Sequence, residues 1–348
     1  MKFFSIITLL FCLVITGCIK NSANSNNEEG ENQIKPRSFY AGVSGLIPRN
    51  YPNPSDSDWQ NLFNTLTEYG DFLGIHTGWN EGETDEDGIP VTVNIAFQVT
   101  ENQVIQPYVA IGFEPDELTQ QEADDYINEN GQDFLEVCLA IAEKHQSEIM
   151  LIGVEINRYF EKSAEGFADF VDLYADIYQG IKNVSPSTLV GSNFQLEYMK
   201  GDAMRSGVQH DPHWDIVDDF QPALDIVSFT VFPFFDYNHP GEIPDDYLNE
   251  ITQHTDQPVM ITETGWPSVS NPNIPDISAS EDIQVEYFER LLELTEPLPL
   301  HALIWAFQHD PEIGIANGLF DHIALKNNDG TPKKIFTEWQ ELVERPVK

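Results

Sequence analysis

The chain has 348 residues, of which 58 are acidic and 17 basic, for a net charge of −41 at pH 7. A field of that sign repels nucleic acid and anionic polymers, which argues against both as partners and favours a neutral ligand. Hydrophobic residues make up 41% of the chain, enough for a large core, and so acidic a protein stays soluble even where about 1 M salt shortens the screening length to roughly 3 Å.

Residues 1–17 combine a basic start, an apolar run and a region of small residues, the pattern of an export signal and not of a membrane-spanning helix. The ending Ile15-Thr-Gly-Cys18 resembles a bacterial lipoprotein box. That resemblance implies cleavage before Cys18 and a lipid on it, so that the exported protein sits at the cell surface or in the periplasm, held to a membrane by its anchor alone. Residues 18–36 are mostly Asn, Ser, Glu and Gly and suit a flexible tether. Cys12 leaves with the signal, and Cys138 lies in a segment of helical pattern as a small buried hydrophobe.

From residue 37 to 348 short apolar runs alternate with segments of helical period. Strands are predicted at 38–43, 72–76, 104–112, 148–154, 188–192, 224–232, 258–262 and 300–307. Helices are predicted at 56–69, 132–145, 163–182, 247–252, 280–294 and 334–344, whereas 88–102 and 196–220 are too irregular to place one. Eight strand-helix repeats point to the α/β class and a single (β/α)₈ TIM barrel, whose sites sit at the carboxyl ends of the strands. An open doubly wound sheet is the alternative, but no glycine-rich phosphate loop follows the first strand.

Two predicted strands end on a glutamate. Val259-Met-Ile-Thr-Glu263-Thr-Gly-Trp-Pro267 is an apolar run stopped by Gly265 and Pro267, and Ile149-Met-Leu-Ile-Gly-Val-Glu155 repeats the arrangement at the fourth strand. A pair of such carboxylates is the minimum equipment for glycoside hydrolysis. One, protonated, donates to the leaving oxygen, and the other, ionised, attacks or stabilises the oxocarbenium-like centre. No cofactor is needed. Either glutamate taken singly also reads as a solvated loop charge or a helix cap.

With Glu155 on strand four and Glu263 on strand seven, the chain resembles clan A of the glycoside hydrolases. The resemblance implies that Glu155 is the acid/base and Glu263 the nucleophile of a retaining reaction, with Glu155 raised in pKa by burial and by its neighbour. The stretch Ile261-Thr-Glu-Thr-Gly-Trp-Pro-Ser268 is close to the nucleophile motif of family 17 β-1,3-glucanases, and Asp225-Ile-Val-Ser-Phe-Thr-Val-Phe-Pro-Phe234 is similar to strands of family 17 and of family 53 endo-β-1,4-galactanases. Trp305 falls where these barrels often line the central subsite with an eighth-strand tryptophan. Two positions depart from the pattern: Val154 stands where an Asn usually binds the sugar 2-hydroxyl, and Phe232 where a tyrosine often bonds the nucleophile. Asn157 or Asn193 is a substitute for that Asn, or a turn residue.

Trp79 and Trp266, just past strand ends, are candidates to stack on pyranose faces, or else core; Trp59, Trp214 and Trp339 read as packing. His76, ending strand two, is placed to bond a sugar or a catalytic glutamate, or is a structural histidine. His210 and His213 read as loop residues and the acidic run 81–88 as a solvated loop, so no metal site is expected. The function expected is a retaining hydrolase acting on a neutral β-linked glycan, β-1,3-glucan or β-1,4-galactan. The alternative is a glycan-binding surface lipoprotein that has lost turnover.

Overall fold

The computed structural model describes residues 36–113 and 119–348. The export signal, Cys18 and all of the tether except Pro36 lie outside the described residues. Eight strands follow in chain order: β1 (Tyr40–Ser44), β2 (Phe72–Gly78), β3 (Gln106–Gly112), β4 (Ile149–Ile152), β5 (Leu189–Gln195), β6 (Ile226–Val231), β7 (Val259–Thr264) and β8 (Leu300–Ala306). Each pairs in parallel with the next, and β8 pairs back onto β1 to close the barrel. All eight predicted runs are strands.

The runs are nearly continuously apolar because both faces of each strand are covered. Alternate residues split into two cores. Phe72, Tyr108, Ala110, Ile149, Leu151, Ile226, Met260, Ala302 and Ile304 fill the barrel interior. Their neighbours in sequence, such as Leu73, Val109, Met150, Ile261 and Leu303, join the larger core under the helices. Two wall positions require glycine because a neighbouring backbone lies against them: a Cβ on Gly42 would stand 2.2 Å from the Phe72 carbonyl oxygen, and one on Gly191 would stand 2.1 Å from that of Ile226.

Helices cover the wall. Gln120–His145 starts well ahead of its predicted start at 132, on a capping box in which Thr119 and Glu122 exchange hydrogen bonds. Ala164–Val184, capped by Ser163, and Glu281–Thr295, capped by Ser280, fall where expected, as does Lys334–Val343. The helix predicted at 247–252 is a single turn at Ile251–His254. Val91–Thr100 occupies one of the unplaced segments, and only the single turns Leu196–Met199 and Asp215–Asp218, with a short 3₁₀ turn, occupy the other. Cys138 is fully buried, and burial pushes its thiol pKa up. Among the described residues no helix is long and apolar enough to cross a membrane.

The two ends of the folded region are tied at Arg37, whose backbone pairs in parallel with Val347. Buried Arg37 donates to the Arg345 carbonyl and to the Asp71 carboxylate, just before β2.

Replacing Gly191 with Ala forces β5 away from the Ile226 carbonyl. The variant is expected to lose about 3 kcal/mol of stability, read as a lower denaturant midpoint; an unchanged midpoint would contradict the close approach of β5 and β6.

Candidate active site

The fourth strand stops at Ile152 because the backbone changes hand. Gly153 takes a φ of +87° and Glu155 one of +49°. The second is a left-handed conformation that costs a residue with a Cβ roughly 1–2 kcal/mol. Hydrogen bonds hold it there. The Glu155 N–H donates to Asn193 Oδ1 at 2.8 Å, the Thr230 hydroxyl donates to Glu155 Oε1 at 2.7 Å, and Arg158 Nη1 donates to Oε2 at 3.3 Å. The Glu155 side chain is 22% exposed, reachable from outside yet enclosed by protein on most sides. Burial is the main cause that raises its pKa and the Glu263 charge a lesser one, while Arg158 and Thr230 pull it down; the net direction is upward.

Glu263 reaches the same place through an irregularity in β7. Ile261 pairs with Phe229, but the next register pair is Glu263 with Thr230, so one extra residue is inserted in β7 between them. Ile261 faces the helices and Thr262 faces inward, where its hydroxyl accepts from Asn193 Nδ2 at 2.8 Å. Strict alternation would send Glu263 outward. The insertion turns it inward opposite Thr230, and Thr264 resumes the outward face, hydrogen-bonded to Tyr287 in the helix layer. Thr230 therefore touches one glutamate and is the register partner of the other.

His76, on the inward face of β2, places Nδ1 3.5 Å from Glu263 Oε1. Its Nε2 lies 3.0 Å from the Tyr108 hydroxyl, which in turn donates to the Thr262 carbonyl at 3.2 Å. Tyr108 is fully buried, and burial, with the Glu263 charge second, holds its phenol well above its usual pKa.

Glu155, Glu263, His76 and Asn193 thus come together, Asn193 as a link between the Glu155 backbone and Thr262. Asn157 does not join them: its amide is buried and bonded in both directions to the Gln195 backbone, at 2.9 Å each. The expectation that three tryptophans line a cleft is corrected by their burial. Trp79 donates its indole N–H to the Phe113 carbonyl and packs on Phe134. Trp266 and Trp305 are 0% exposed and donate to Ser278 and Ile323 carbonyls, against Tyr287 of the helix layer. Phe232 is also buried, among Phe234, Phe235 and Phe320; of these Phe235 and Phe320 are the half-buried ones. His210 and His213 stack on each other, and His210 pairs with Glu161 at 3.0 Å. Among the described residues no group of three or more His, Cys, Asp or Glu is arranged to hold a metal ion.

Tyr108, Thr230 and Arg158 were not singled out by sequence, though Tyr108 and Thr230 share strand parity with the interior residues Ala110 and Ile226. Glu197 was missed as well. It is fully buried just past β5, where its carboxylate accepts from Gln195 Nε2 at 2.6 Å, from the Phe232 N–H at 2.9 Å and from the Tyr247 hydroxyl. Burial, opposed by the Tyr247 bond, drives its pKa up to about 7. The available signal was a lone acid within the otherwise uncharged stretch Phe194-Gln-Leu-Glu-Tyr-Met199.

No protein-family model and no curated protein sequence matches the chain. Solved structures do. A family 39 glycoside hydrolase from Bacteroides cellulosilyticus WH2 is similar over 87% of this chain and 62% of that one, at 17% identity and a TM-score of 0.57. The exo-β-1,4-mannosidase Op5Man5 from Opitutaceae bacterium strain TAV5 is similar over 90% and 61%, at 12% identity and 0.58. An active-site mutant of the Rhizomucor miehei β-1,3-glucanosyltransferase, in complex with laminaritriose, is similar over 89% and 98%, at 15% identity and 0.56. The chain thus spans about three fifths of the first two proteins and nearly all of the third. At such identities the likeness is one of fold alone, a closed eight-stranded (β/α)₈ barrel.

The Glu197 shift has a pH consequence with a definite sign. Its pKa rises from 4.5 to about 7 on folding, so its contribution to stability is complete below about 4.5 and lost as pH climbs through 7. Glu197→Gln is expected to make stability fall less between pH 4.5 and 7 than in the wild type, by up to roughly 3 kcal/mol. Denaturant unfolding at several pH values measures this; parallel profiles would contradict it.

Proposed function

We propose that the protein is a retaining glycoside hydrolase acting on a neutral β-linked glycan. The observation that carries this reading is the convergence of two glutamates, from the ends of β4 and β7, on the two sides of Thr230, with different partners. Glu155, raised in pKa, suits the proton donor, and Glu263 beside His76 suits the nucleophile.

In the first half-reaction the Glu263 carboxylate attacks C1, the glycosidic C1–O bond breaks, and the leaving oxygen takes the Glu155 proton. In the second, Glu155 accepts a proton from water, the resulting hydroxide bonds to C1, and the ester to Glu263 breaks to return its carboxylate. No cofactor enters. Because the −41 charge disfavours anionic polymers, β-1,3-glucan and β-1,4-galactan are the favoured substrates. The seventh-strand motif and the size match with the glucanosyltransferase support the first, and transfer to a second sugar in place of water is compatible with the same chemistry.

A glycan-binding protein without turnover is the second reading. Val154 in place of an Asn, Phe232 in place of a tyrosine and the commitment of the Asn193 amide to the Glu155 N–H and the Thr262 hydroxyl favour it.

Reducing-end release from laminarin, β-galactan, mixed-linkage glucan and β-mannan separates the two. The hydrolase reading expects release from at least one of these, reduced at least about a thousandfold in Glu263→Ala. Binding without release, unchanged in that variant, would favour the second reading.

We also propose that the protein is exported and anchored through a lipid on Cys18. Cys18→Ala is expected to move it from the detergent phase to the aqueous phase on detergent partitioning, and a wild type already in the aqueous phase would contradict the anchor.

A further inference from the structure

The one-turn helix Asn157–Lys162 that follows Glu155 carries Arg158. Its guanidinium stands 3.3 Å from Glu155 Oε2 and 5.8 Å from the centroid of the Tyr198 ring, just past β5. A cation beside a general acid looks counterproductive, since it favours loss of the proton the acid must give. In a double displacement, however, the same carboxyl must then be ionised to take a proton from water, and one whose proton affinity is too high for the working pH is re-protonated from solvent and no longer free to act as that base. Glu155 is enclosed and faces the charge of Glu263, and both features favour its neutral form.

The groups facing Glu155 come from four elements. Asn193 on β5 binds its N–H, Thr230 on β6 donates to Oε1, Glu263 on β7 contributes negative charge, and Arg158 follows on its own segment. Of the charged groups named among the described residues, Arg158 favours the ionised form and Glu263 opposes it. Its side chain is 34% exposed, so it is accessible to substitution without opening the core.

We infer that Arg158 is a positioning residue that moderates the proton affinity of Glu155, so that this one carboxyl serves as acid in the first half-reaction and as base in the second. This rests on the assignment of Glu155 proposed above. Arg158 acts through the carboxylate and contacts no reacting atom.

The test follows the Glu155 carboxyl carbon by NMR across pH in protein carrying ¹³C-labelled glutamate, assigned by its disappearance in Glu155→Gln. Wild type, Arg158→Met and Arg158→Lys are compared, with the alkaline limb of the kcat/KM profile recorded alongside. Arg158→Met is expected to move both the carboxyl midpoint and the limb upward by about 0.5 in pH, the scale of a partly exposed ion pair. Arg158→Lys, which keeps the charge, is expected to restore most of that change. A carboxyl midpoint that stays put in Arg158→Met, with an unchanged thermal melt, would overturn the inference, whether or not activity falls. Because the carboxyl titration needs no substrate, a wild type that hydrolyses nothing would count against the proposed function and leave the titration result separately readable.

Discussion

Two carboxylates set together in an enclosed site repel each other, and in a medium less polar than water that repulsion is strong. The surroundings of Glu155 and Glu263 divide the burden unequally. Glu155 meets a hydroxyl and a guanidinium, and Glu263 meets an imidazole. One buried amide joins the two sides: Asn193 accepts from the Glu155 N–H and donates to Thr262, the residue before Glu263. The order of strands in the closed barrel makes this possible, since β5 and β6 stand between β4 and β7 and supply Asn193 and Thr230.

The barrel itself was legible because strands buried on both faces must be apolar throughout, and the eight runs stand out against an acidic background. The positions of Glu155 and Glu263 at strand ends were legible for the same reason. Which way a residue faces was harder. Trp305 follows Leu303 on the outward face of β8, and Trp79 continues the outward parity of Leu73 and Ile75, so strand parity already placed both rings under the helices. Proximity to a strand end was the weaker guide. For Glu263 the two guides reverse: parity counted from Ile261 points it outward, and only the inserted residue, which no local pattern announces, turns it in. Thr230 and Glu197 were hidden because their importance lies in partners distant in sequence, Glu155 and Tyr247 among them.

The aromatic floor expected for a sugar site is absent at the three tryptophans. Phe235 and Phe320 beside Phe232, Tyr237 after them and Phe307 just past β8 are half-buried rings near the ends of β6 and β8. This differs from the arrangement that the clan resemblance implied. The barrel by itself implies no particular activity, since such folds carry their sites in the loops.

Covalent trapping addresses the division of labour between the two glutamates most directly. A 2-deoxy-2-fluoroglycoside with a good leaving group, matched to the accepted sugar, slows release of the glycosyl-enzyme, and peptide mass spectrometry then locates the bound sugar. The proposed mechanism expects it on the peptide carrying Glu263. Attachment at Glu155, or turnover of the natural glycan with no covalent adduct and inversion at C1, would contradict it.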